Sequence, residues 1–143
     1  MIKKRLLVIA TAIVPPAVYT AAQAAAGRTA YQSSCAQCHT DTLMGRDGTG
    51  EMPEAARQNN NVSIPPLAGA NSAFPPFMTK WGARTTKDLY TRIQEAVGSD
   101  RYMDEQLCLN LTAYILQANG ARTGTQALTT ATAVEIRSVA PGL

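Results

Sequence analysis

The segment YQSSCAQCHTDTLMG places Cys35 and Cys38 three apart with His39 directly behind them, and His39 is the only histidine in the 143 residues. Thiols and an imidazole at this spacing suit three chemistries. A closed structural zinc site needs about four protein ligands. The only further thiol is the distant Cys108, and the neighbours Cys38 and His39 rarely reach one ion together. A dithiol redox pair normally opens a helix after a strand of an α/β domain, and no strand pattern precedes Cys35. The third chemistry is covalent haem attachment through C-x-x-C-H. Two thiols on one helical turn form thioethers to the haem vinyl groups, and the next residue becomes the proximal iron ligand. That chemistry uses all three residues, and it is the reading adopted: one covalent haem c, with His39 on its iron.

Helices must position these groups. Residues 27–38 read as one helix, in which Tyr31, Cys35 and Cys38 share a face. Residues 40–63 are polar and glycine-rich and read as a long surface excursion, with a short helical turn at 53–58. IPPLAG (64–69) is a rigid extended turn, because Pro65 and Pro66 lack backbone donors and bias the residues before them away from helix. The aromatics of NSAFPPFMTKWG are Phe74, Phe77 and Trp81, with a short helix predicted after Pro75-Pro76. They are expected to line the haem pocket, although ordinary core packing would use nearly the same positions. Thr86 is predicted to cap a helix whose apolar face is Leu89, Ile93, Ala96 and Val97, stopping at Gly98. Asp104 is the predicted cap of EQLCLNLTAYILQAN, with the stripe Leu107, Leu111, Tyr114, Ile115 and Ala118. Cys108 lies off that stripe and is expected to be half-buried and inert, a dimerising disulfide being the alternative. The Thr- and Ala-rich tail, 121–143, is expected to be a mobile strap with a short helix over 131–137. The fold class expected is all-α: three to four short helices around one haem, with a core of roughly 95 residues that a large cofactor would help stabilise.

The chain begins with an export pattern. Lys3, Lys4 and Arg5 precede an apolar run, Leu6 to Val14, that is too short to span a bilayer. Pro15 and Pro16 end it. Ala22-Gln23-Ala24 offers a cleavage site, and Ala24-Ala25-Ala26 is an equally small alternative that would move the start by two residues. The expected organisation is a signal peptide over 1–24, a domain over 25–120 and a tail over 121–143. An uncleaved anchor is the alternative, disfavoured by the short run. The chain carries 13 basic and 10 acidic residues, and loss of the leader's three cations leaves ten of each. The basic balance is therefore an export signal, and nucleic-acid binding loses its support. The mature protein is expected to be periplasmic and to lack a membrane span.

Over residues 27–120 the chain resembles the class I cytochromes c. Gly27 and Tyr31 match the family's N-terminal helix, and AYILQANG (113–120) is similar to the end of its C-terminal helix. The resemblance implies that Tyr114 crosses the N-terminal helix near Gly27. PPLAG (65–69) is similar to the family's proline turn, which implies that the Pro65 carbonyl accepts a bond from His39 Nδ1–H. A narrower likeness links PPLAG, FMTKWG, DLY and AYILQANG to small cytochromes associated with pyrroloquinoline-quinone dehydrogenases. Where that subgroup has a Met-Pro carrying the sixth ligand, this chain has Val97-Gly98. The candidates for the distal position are Met103, Met78, Met52 and Met44. Met103 alone lies between the last two helices, and core packing beside the Asp104 cap is its other reading.

The expected function is single-electron transfer by a mono-haem c-type cytochrome, not an enzyme. Its partners would be redox proteins: a quinoprotein dehydrogenase as donor, and a terminal oxidase or second cytochrome as acceptor. The alternative is a haem protein with an open distal site, acting as a gas-ligand sensor or a peroxidase-like enzyme. The oligomeric state is left open.

Overall fold

The computed structural model describes residues 14–54, 63–97 and 104–142. Within them the protein is all-α. Helices α1 (Ala21–Ser34), α2 (Ala36–His39), α3 (Phe77–Trp81), α4 (Thr86–Val97), α5 (Glu105–Ala118) and α6 (Ile136–Val139) follow in chain order. Extended pairing among the described residues is confined to isolated bridges, such as Arg46 with Ile64 and Thr20 with Gly124. No described helix is long and apolar enough to cross a membrane.

The first helix starts six residues before the predicted Gly27. Thr20 caps it: its hydroxyl accepts from the Gln23 backbone N–H, and the Gln23 side chain accepts from the Thr20 N–H. This reciprocal pair satisfies two of the donors that a helix start leaves unpaired. The boundary expected after Ala24 thus falls inside α1, on residues that are part of the folded body.

The central packing is α1 against α5. Gly27 makes it close, since a side-chain carbon there would overlap the Asn110 carbonyl oxygen and lie 2.9 Å from Tyr114 Cβ. The Tyr31 and Tyr114 rings meet alongside, with centroids 5.3 Å apart and planes inclined at 55°. Tyr114 therefore crosses α1 near Gly27, as the resemblance implied. Asp104 caps α5 as predicted, accepting from the Leu107 N–H at 2.7 Å. The buried face of α5 is shifted from the predicted stripe: of that stripe only Leu111 and Ile115 are fully buried, while Leu107, Tyr114 and Ala118 are half-buried. Cys108, Leu109, Leu111, Thr112, Ala113, Ile115 and Leu116 are all buried, because α1 and α4 both pack on this helix. Cys108 is consequently only 1% exposed, rather than half-buried.

Two local readings shift. Helix α4 is capped by Thr85, whose hydroxyl accepts from the Asp88 N–H while the Asp88 carboxylate accepts from the Thr85 N–H. Thr86 is instead buried, and its hydroxyl donates to the Thr132 carbonyl. The tail is not a loose strap. Leu128, Ile136, Val139 and Ala140 are buried in the core. Backbone bonds pin it: Thr86 N–H to Val134, Ile136 N–H to Arg84 and Arg137 N–H to Gly82. Its helix lies at 136–139, later than predicted, where its buried residues meet α3. The helical turn expected at 53–58 and the stop at Gly98 lie largely outside the described residues.

Candidate functional site

Cys35, Cys38 and His39 form a tight turn continuing α1. The Cys35 N–H donates to Tyr31 at 2.8 Å, and the His39 N–H donates to the Cys35 carbonyl at 2.9 Å. Thr40 ends the helix with φ +70°. Non-glycine residues rarely adopt that conformation, so the surroundings must hold it. The Tyr31 hydroxyl donates to the Thr40 carbonyl, and the Gly45 N–H donates to the His39 carbonyl. None of the three cysteines is in a disulfide, and Cys35, Cys38 and His39 are each half-buried.

Four anchors were not foreseen from the sequence. Arg46 donates from Nε to the Cys38 carbonyl and from its terminal nitrogens to the Gln37 and Glu51 carbonyls, at 3.2–3.3 Å. A cation over the last carbonyls of a helix stabilises its C-terminus. Its signal was available: it is the only basic residue from 40 to 54. Gly45, at φ +69°, lets the proline turn approach; a side-chain carbon there would sit 2.7 Å from the Pro65 carbonyl oxygen and overlap that of Ile64. Leu43 is buried, and its carbonyl accepts from the Leu67 and Ala68 N–H groups. From the far side, Asn119 Nδ2 donates to the Leu67 carbonyl at 2.9 Å. The PPLAG turn is thereby fixed to both the motif loop and the end of α5.

That turn meets the histidine. His39 Nδ1 lies 2.9 Å from the Pro65 carbonyl oxygen. A carbonyl only accepts, so Nδ1 carries the proton and Nε2 keeps its lone pair. Burial lowers the His39 pKa, outweighing the opposing effect of the Pro65 bond. The ring is therefore presented as a neutral donor, the form that binds a metal. Among the described residues no group of three or more His, Cys, Asp or Glu is placed to hold a metal. The donors for a closed zinc site are therefore not gathered there.

The methionines separate. Met44 is exposed, beside Gly69, and its carbonyl accepts from Asn71. Met52 edges an open recess with Gln37 and Arg46. Met78 is half-buried and packs against Gly142. Met103 lies outside the described residues. Phe77 and Trp81 stack with centroids 6.1 Å apart and are closed into the core, while Phe74 is half-buried. The apolar side chains that pack against the core while only partly buried include Cys35, Leu67, Met78, Ile93 and Leu107. They come from the motif turn, the proline turn, α3, α4 and α5.

The site thus offers two thiols on one turn and a neutral imidazole with a fixed tautomer. No protein-family model, curated protein or solved structure matches the chain.

Proposed function

We propose that this chain is an exported mono-haem electron carrier with a cytochrome c-like fold, working in the periplasm. The observation that carries the reading is the His39 Nδ1 to Pro65 bond. It fixes the ring and leaves Nε2 for iron, on the same turn that bears Cys35 and Cys38. The residues fit the group. The two thiols would hold haem c as thioethers and His39 would supply the proximal ligand. The Pro65 carbonyl would orient the ring and raise its basicity. When bound, the haem supplies a one-electron ferric–ferrous couple. Leu67, on the same proline turn as Pro65, is only partly buried in the protein alone and would then gain apolar cover.

Electron transfer without catalysis is the preferred role. The described residues around the motif include no second imidazole, and His39 is committed to the axial role. The likeness of PPLAG, FMTKWG and AYILQANG to dehydrogenase-associated cytochromes supports a quinoprotein dehydrogenase as donor, with a terminal oxidase or second cytochrome as acceptor. Met103 is the proposed distal ligand. A second reading, a ligand-binding or peroxidase-like haem protein, is favoured by one observation: Val97-Gly98 stands where the resemblance expects the Met-Pro that carries the sixth ligand.

Absorption spectra of the purified protein in both redox states separate the two. A sulfur-to-iron charge-transfer band in the ferric state, lost in Met103→Ala, supports the carrier with Met103 on the iron. A high-spin spectrum and ready carbon monoxide binding in the ferrous state would replace it with the open-site reading.

A further inference from the structure

We infer that residues 15–24 belong to the mature domain, so that any removal of the leader ends before Pro15 and not at Ala22-Gln23-Ala24. The inference is independent of the haem. It rests on how this segment engages the tail.

Tyr19 is fully buried, and its hydroxyl donates to the Ala121 carbonyl. The Gly124 N–H donates to the Tyr19 carbonyl at 2.9 Å, within a parallel bridge between Thr20 and Gly124. Gln23 is buried and binds the Leu128 backbone at both ends: Nε2 donates to the carbonyl at 2.9 Å, and Oε1 accepts from the N–H at 2.8 Å. Arg122 donates to the Pro15 carbonyl at 3.1 Å. At Gly124 a side-chain carbon would come within 2.6 Å of Ala17 Cβ. Each half of the contact is therefore shaped by the other.

A cut after Ala24 would remove the first turn of α1 and its cap. It would also strip the partners from the buried Leu128 backbone, and leaving such groups unsatisfied is costly. Protection from the peptidase is not the argument, since that enzyme meets the chain before it folds. The argument is what the folded domain would lose. Ala22-Gln23-Ala24 imitates a cleavage site because small residues also suit a close-packed helix. Residues 15–24 carry no charge, so the near-neutral balance of the mature chain is the same for either start.

N-terminal sequencing and intact mass of the full-length gene product, recovered from the exported fraction, test this. A start at or before Pro15 is expected. A folded protein starting at Ala25 or Gly27 would overturn the inference. Gln23→Ala supplies a second reading in the same protein, and its melting temperature should fall by about 5 °C. An unchanged melting temperature would also overturn it. Recovery from the cytoplasm alone would instead count against export, and the Gln23→Ala comparison would then decide whether the segment is part of the domain.

Discussion

The crossing of α1 with α5 and the Cys35–His39 turn lie close together on one stretch of chain, yet different forces hold them. At the crossing, Gly27 lets two backbones touch and buried apolar side chains fill the space around them. The motif turn is filled less completely, with Cys35 and Ala36 only partly buried against the core. Its three reactive side chains are half-buried, and it is held through backbone carbonyls by Arg46, Tyr31, Gly45 and the Pro65 bond. The difference follows from what each region must do. Close packing fixes a helix pair best, but it would occupy the volume that a bound group needs. Hydrogen bonds to the backbone can orient a turn while leaving one face open.

The comparison predicts that damage to the turn abolishes function with modest loss of fold, and that damage to the crossing does the reverse. The largest effect is expected from Cys35→Ala with Cys38→Ala. Covalent haem should disappear completely from a haem-stained denaturing gel, while Cys108→Ala keeps its stained band. Next, Gly27→Val should lower stability by about 1–3 kcal/mol in a denaturant melt, because its side chain must push α5 away from a backbone carbonyl. Replacing a helical glycine by valine would by itself contribute only about 0.3 kcal/mol in the other direction, because valine is β-branched, so a net gain would show that the crossing is looser than described. Asn119→Ala should cost about 1 kcal/mol in the same assay. It frees the Leu67 carbonyl, but it also removes Asn119 Oδ1, itself a buried acceptor without a partner among the described residues.

The smallest effect is a pH dependence at Cys108. Burial, aided by the Asp104 carboxylate, raises its thiol pKa in the folded state. The unfolded chain then loses its proton first as pH rises, so stability is intact below the ordinary thiol range and declines through it. Denaturation midpoints from about pH 7 to 10, which brackets that range, should fall less steeply in Cys108→Ala than in the parent. Equal slopes would remove the thiol from the account.

What could be read from the sequence depended on how local the determining interactions were. The Asp104 cap rests on a short spacing, and the Gly27–Tyr114 approach, which the resemblance implied, on one residue's size; the structure shows both. The helix read as continuous over 27–38 is instead broken at Cys35, between α1 and α2. The tail escaped because backbone bonds to Arg84, Gly82 and Thr86 pin it, and these leave no periodic side-chain pattern. The start of α1 escaped because alanines serve a helix and a cleavage site equally. Arg46 and Asn119 act across loops on main-chain carbonyls, partners that carry no side-chain signature.

The central claim is that Cys35, Cys38 and His39 hold one covalent haem. A pyridine haemochrome assay on the purified, exported protein tests it most directly, with protein quantified alongside. The account predicts one thioether-type haem per chain that acidified organic solvent does not extract. Protein without haem, or with haem that the solvent removes, would contradict it.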